Sequence, residues 1–251
     1  VRVVYGVNPV KELLRAGGEG LSELWLAEGA RSGAVAELEA QARAAGARVK
    51  HAPRQKLDRL AGADRHQGVV AVVAADFRYA EVEELLAAAK ARNEPPLLVI
   101  LDGVEDPQHL GAIARSAVAM GAHGLIIPRD RAAGVTPAVV KASAGVIERC
   151  LVARVVNISR IIDELKEAGV WSVALAADGE QELQAVDLTG PMALVMGSEG
   201  EGIRQLVRKT CDHGARIGMV SGVESLSVSA AASVALYEAA RQRRGARPKR
   251  P

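Results

Sequence analysis

The sequence predicts an α/β protein in two parts: a small N-terminal α/β unit and a larger C-terminal domain built on a mostly parallel sheet. Three observations lead there. Short apolar runs alternate with helical segments along the chain, the pattern of strands crossing over through helices. In the second part the runs are continuous, as in "LLVILDGV" (97–104), which is how a strand buried on both faces reads. Three of these runs lead into polar, glycine-containing loops, at the strand ends where such sheets bind ligands.

In residues 1–75, "ELWLAE" (23–28) and "HQGVVAVVAA" (66–75) read as strands. "NPVKELLRAG" (8–17) and "SGAVAELEAQARAAG" (32–46) read as helices. The first has Asn8 as its N-cap, Pro9 at the first helical position and Gly17 at its end. "EVEELLAAAKARNEPP" is a helix with an acidic start and a basic end, closed by two prolines. It bridges into the second domain, with the boundary near residue 78. After the strand at 97–104, "DPQHLGAIARSAVAMGA" (106–122) is a helix capped by Asp106, opened by Pro107 and ended at Gly121. Strand "HGLIIP" (123–128), helix "TPAVVKASAG" (136–145), strand "RCLVARVV" (149–156) and helix "SRIIDELKEAG" (159–169) follow. Strands "WSVALAA" (171–177) and "MALVMG" (192–197), then "ARIGM" (215–219) and helix "SLSVSAAASVALYEAARQRR" (225–244), complete the domain. The domains expected are 1–77 and 78–245, with a basic, disordered tail at 246–251.

Composition sets bounds on function. The chain has 251 residues, 49% hydrophobic and 25% charged, which is globular composition with ample material for a core. Only 2% is aromatic, which argues against a single-strand binder that works by base stacking. Cys150 and Cys211 are far apart and match no metal spacing, so two reduced thiols are expected. No apolar run is long enough to span a membrane and the N-terminus lacks a signal-peptide pattern, so a cytoplasmic protein is expected. The net charge is only +2, but its distribution is uneven. Residues 48–66 hold six Lys/Arg and two His against two Asp, and 241–250 hold six Lys/Arg with no acid. Such clusters can track a polyanion by counterion release. A solvated face with a disordered tail is equally consistent with them.

The glycine loop "LVMGSEGEGI" (194–203) carries two glutamates and no lysine. A dinucleotide fingerprint would follow the first strand as G-x-G-x-x-G, but that place reads "DGVEDPQHLG". The phosphate loop G-x-x-x-x-G-K-[ST] and the nucleophile elbow G-x-S-x-G do not occur, and no His/Cys/Asp cluster has metal-ligand spacing. An acidic glycine loop suits a neutral or cationic ligand better than a phosphate. S-adenosylmethionine (AdoMet), with a sulfonium and an ammonium but no phosphate, fits; a turn with solvated glutamates also satisfies the loop taken alone.

Taken together, "DPQHLGAIARSA" (106–117), "LVMGSEGEGI" (194–203) and "IGMVSGVESLSVSAAASVALYE" (217–238), in this order and at these separations, closely resemble the three motifs of the SpoU branch of the SPOUT RNA 2′-O-methyltransferases. "YGVNPVKELL" (5–14) and "HQGVVA" (66–71) resemble the small ribosomal-protein-like substrate-binding domain of its large-subunit rRNA members. The resemblance runs to about residue 243. It implies an AdoMet site in a deep trefoil knot near the C-terminus, a homodimer, and no metal. It implies that Met196, Gly197, Ile217, Met219 and Leu226 line the AdoMet pocket, many through backbone contacts. Arg115 matches the family's catalytic arginine and Glu199 its second-motif glutamate. A guanidinium is a poor base, so Arg115 is better suited to bind the phosphate beside the target ribose. Glu199 is expected to order the loop or to bind RNA or cofactor groups.

Three positions depart from the family's pattern: His109 and Ser227 stand where asparagine is usual, and Gly218 where proline is. His109 can still donate or accept a hydrogen bond. Ser227 lacks the reach of an amide, and Ser229 is at hand to share its role. Gly218 loosens a segment that proline would stiffen. The resemblance implies AdoMet-dependent 2′-O-ribose methylation of 23S rRNA, at a guanosine. The alternatives within the class are a tRNA enzyme and an rRNA enzyme conferring antibiotic resistance. The alternative of another class is an RNA-binding ribosome-assembly factor with a weakened site, suggested by His109, Ser227 and Gly218.

Overall fold

The computed structural model describes residues 1–30, 32–220 and 225–246. Residues 221–224 of the third motif and the tail from 247 lie outside the described residues. The chain divides into two compact units, Val1–Arg78 with Gly134–Arg149, and Tyr79–Ala133 with Cys150–Pro251.

The first unit holds a four-stranded sheet of β1 (Arg2–Tyr5), β2 (Leu21–Ala27), β3 (Arg48–Ala52) and β4 (Val69–Val73). Its order is β1-β4-β2-β3, antiparallel except for the parallel pair β2–β3. Helices α1 (Val7–Arg15), α2 (Gly33–Ala44) and α3 (Arg54–Ala61) belong to it. Asn8 does not cap α1. The cap is Gly6, at φ 100°, a conformation that glycine adopts without a steric penalty, so the helix starts before the polar signature. The inserted segment 134–149 approaches α1 so closely that a Cβ on Gly145 would lie 2.4 Å from Pro9 Cα. Arg2 to Glu148 and Arg149 to Glu12 tie it down ionically.

The second unit holds a seven-stranded sheet in which every pairing is parallel. Its strands are β5 (Leu97–Asp102), β6 (Gly124–Pro128), β7 (Val152–Val155), β8 (Trp171–Leu175), β9 (Gln181–Glu182), β10 (Met192–Gly197) and β11 (His213–Arg216). The order is β7-β6-β5-β10-β8-β11-β9. β5, β6 and β10 are buried at every position, as their continuous apolar runs require. Helices α4 (Val82–Ala91), α5 (Pro107–Ala119), α7 (Ile158–Glu167), α8 (Gln205–Thr210) and α9 (Val228–Ala246) belong to this unit, whereas α6 (Pro137–Ala142) belongs to the first. Asp106 caps α5 by accepting from the Gln108 amide, and Pro107 occupies the first turn. A capping box formed by Glu81 and Glu84 opens α4. Among the described residues no helix is long and apolar enough to cross a membrane.

Candidate active site

The site is built at the carboxyl ends of β5, β6, β8 and β10. Glycines let the loop after β10 close on itself. A Cβ on Gly197 would fall 1.9 Å from the Gly202 carbonyl carbon, so only glycine fits there. Ser198 and Gly202 exchange backbone hydrogen bonds of 3.2 and 3.0 Å, and Gly200 and Gly202 take φ of 90° and 70°. Gly197 therefore has a packing reason of its own, whatever it contacts besides.

A cavity of about 680 Å³ opens beside this loop. Met196, Gly197, Ile217, Met219 and Leu226 all line it, as do Glu199 and Ser227. Met196 is buried, Ile217 and Met219 are half-buried and Leu226 is exposed. Among the described residues its wall carries three carboxylates, Asp178, Glu199 and Glu201, against one guanidinium, Arg208. Arg208 donates to Asp178, and that bond holds the Asp178 carboxyl below its usual value. The excess of acid over base and the apolar and backbone lining fit AdoMet, which carries a sulfonium and no phosphate.

A second cavity of about 350 Å³ shares Ser198, Glu199, Glu201, Gly202 and Val228 with the first. His109 lines it. The His109 Nε2 atom lies 3.0 Å from Glu199 Oε1 and 3.8 Å from Asp106 Oδ2, and its Nδ1 lies 3.2 Å from Ser229 Oγ. Glu199 Oε1 also accepts from the Val228 amide at 3.3 Å. One hydrogen-bonded cluster thus joins the start of α5, the loop after β10 and the start of α9. These are the three segments that the sequence singles out.

Arg115 stands apart from this cluster. It lies six residues beyond His109 on α5, about 120° round the helix, exposed and outside the lining of both cavities. Among the described residues no ion pair reaches it. Gly218 has a reason beyond looseness, since a Cβ there would lie 2.8 Å from Glu182 Oε2, a carboxylate held by Arg216.

Sequence reasoning missed Asp102. Its fully buried carboxylate accepts from the Arg204 amide at 2.9 Å and from Arg204 Nε at 2.8 Å, with Nη2 at an ion-pair distance of 2.6 Å. This pair anchors the loop after β10 to the end of β5. An acid directly closing an apolar run was the signal available for it. The Asp178–Arg208 pair was also missed, and its two residues share no motif.

A model described as the SpoU rRNA Methylase family matches residues 96–237, and one described as RNA 2′-O ribose methyltransferase substrate binding matches residues 3–79. The chain is 43% identical over 96% of its length to a putative TrmH family tRNA/rRNA methyltransferase of Bacillus subtilis, covering 95% of that protein. It is 42% identical to the 23S rRNA (guanosine-2′-O-)-methyltransferase RlmB of Ralstonia nicotianae, with 96% of each chain covered. Among solved structures it is similar to the SpoU methyltransferase AviRb of Streptomyces viridochromogenes in complex with the cofactor AdoMet. That match has a TM-score of 0.81 and 28% identity, covering 97% of this chain and 90% of that one.

Proposed function

The chain belongs to the SpoU rRNA Methylase family, and on that premise we propose that it transfers a methyl group from AdoMet to the 2′-hydroxyl of a guanosine in 23S rRNA. The observation that carries this reading is the larger cavity, acidic and glycine-walled, at the carboxyl ends of the strands. When bound, AdoMet supplies a methyl group on a cationic sulfur, open to attack by an oxygen. Met196, Ile217, Met219 and Leu226 pack against it, and the backbone at Gly197 approaches it closely. The trefoil knot implied by the resemblance belongs to the same reading.

The smaller cavity receives the target nucleoside, with Glu199 on the wall between the two. The site's task is to hold two reactants in line, and positioning of this kind supplies much of a rate enhancement. Arg115, exposed and with no ion partner among the described residues, binds the phosphate beside the target ribose. His109 and Ser227 complete the polar network. The substrate RNA also engages the first unit. Arg48, His51, Arg54, Lys56, Arg59 and Arg65 are exposed on β3, on α3 and after it, and matching phosphates there would release counterions. The protein works in the cytoplasm as a homodimer. Val234 and Tyr237, 42% and 54% exposed on α9, are apolar surface for a second copy to cover.

The test is incubation of the protein with labelled AdoMet and, in turn, unmodified 23S rRNA and bulk tRNA, followed by mapping of the methyl group. Label at a ribose of 23S rRNA is expected. Label in tRNA alone would refute the reading. No label, with rRNA bound and AdoMet not, would favour an assembly factor.

A further inference from the structure

A ribose hydroxyl that attacks a methyl group must give up its proton, and Arg115 is a poor acceptor for it. We propose that the proton leaves the larger cavity along a chain of side chains, Ser227 to Ser229 to His109, and comes to rest on the His109 ring beside Glu199. This inference rests on the methyl-transfer reading above and assigns the base that it leaves open.

The hydrogen-bond directions along the chain are fixed from one end. The Nε2 atom of His109 lies 3.0 Å from Glu199 Oε1, at ion-pair distance, and a bare nitrogen lone pair there would be repelled by the carboxylate, so Nε2 carries the ring hydrogen. In the neutral ring Nδ1 then accepts, and the partner 3.2 Å away is the Ser229 hydroxyl, which must donate to it. The single hydrogen of Ser229 is thereby committed. Its 3.3 Å contact with Ser227 is consequently made by the Ser227 hydrogen. Ser227 Oγ accepts the Ala230 amide with one lone pair. Its other lone pair remains for a donor in the cavity, which Ser227 lines and in which it is exposed. Every hydrogen in the chain thus points away from the cavity and toward the imidazole, the polarity that carries a proton inward.

The step balances. The 2′-oxygen bonds to the methyl carbon as the carbon–sulfur bond breaks, its electron pair passing to sulfur. The 2′-proton passes to Ser227, that of Ser227 to Ser229 and that of Ser229 to Nδ1. The imidazolium formed lies between Glu199, from the loop after β10, and Asp106, 3.8 Å away at the cap of its own helix. Among the described residues, Ser229 from α9 is the other polar group in contact with the ring. His109 is 23% exposed and lines the second cavity, from which the proton is lost to water once the methylated nucleoside has left. Ser227 is the catalytic residue here, and Ser229 and His109 act through it.

Two measurements on the full chain test this. In the free protein, nitrogen chemical shifts of the His109 ring should report hydrogen on Nε2 and a bare, accepting Nδ1; the opposite tautomer would overturn the chain. In single-turnover transfer to unmodified 23S rRNA, Ser229→Ala leaves the His109–Glu199 contact in place and should slow the reaction about 100-fold. AdoMet and rRNA affinities should stay within a few-fold, and Ser229→Thr should restore most of the rate. Transfer by Ser229→Ala and His109→Asn at the unsubstituted rate would overturn the proposal and leave the methyl-transfer reading standing. No transfer by the unsubstituted protein would overturn that reading, and the proton path with it.

Discussion

At the amino ends of the seven-stranded sheet, Arg243 donates to the carbonyls of Leu188, Gly190, Pro95 and Pro96, stitching the end of α9 to the starts of β5 and β10. Asp212 there binds Ser172 and Lys166, and the buried His123 ring accepts from the Leu97 amide. At the carboxyl ends of the same strands lie two cavities, exposed Glu199 and Glu201, and a loop turned by left-handed glycines. The amino end commits these polar groups to the fold, whereas at the carboxyl end, the buried Asp102–Arg204 pair apart, Glu199 and Glu201 are left facing the cavities. Unsatisfied, precisely placed polar groups weaken a fold but can bind a ligand, so damage should separate into lost stability at one end and lost activity at the other.

The sharpest break in that comparison comes from Arg115→Ala, expected to lower transfer to rRNA about 1000-fold while AdoMet affinity changes only a few-fold. Calorimetry beside single-turnover assays checks it, and equal loss of AdoMet binding would move Arg115 to the cofactor side. Next is Gly197→Ala, whose added methyl meets the Gly202 backbone. Forcing that loop open should weaken AdoMet binding roughly 100-fold, equivalent to about 3 kcal/mol, with a smaller change in melting temperature. Arg243→Ala should do the reverse, lowering stability to urea by about 3 kcal/mol through the loss of its four donated hydrogen bonds. The folded fraction should transfer at close to the original rate.

The smallest expected effect concerns His123. Burial, with Arg92 adding to it, holds this imidazole below its ordinary value, so the ring is neutral in the fold. Its contribution to stability is complete above the unfolded histidine value, about 6.5. It is lost as pH falls through that value toward the lower folded one. His123→Asn keeps an acceptor for Leu97, and should lose less stability between pH 7.5 and 5.5, roughly spanning that value, than the unsubstituted protein in urea titrations.

The same contrast explains what the sequence made legible. β5, β6 and β10 stand out because both their faces are buried, which leaves unbroken apolar runs. The strand β3, "RVKHA", reads only as part of a basic stretch, because it is an edge strand with most of its residues at least partly exposed. β9 and α8 are too short to show a period. Asn8 drew attention as a cap because its side chain suits the role, whereas Gly6 caps through backbone conformation alone. In the site, order and spacing pointed to the three loops. The contacts that join them, Glu199 to His109 and Arg204 to Asp102, link residues far apart in the chain and required the folded sheet.

The claim at the centre of this account is that the carboxyl-end rim of the seven-stranded sheet holds the cofactor. A crystal structure of the protein grown with AdoMet tests it most directly. AdoMet should lie in the larger cavity against Met196, Ile217, Met219 and Leu226, with its sulfonium toward the Glu199 side. AdoMet bound at any other place, or a cavity closed by its own side chains while AdoMet binds elsewhere, would contradict it.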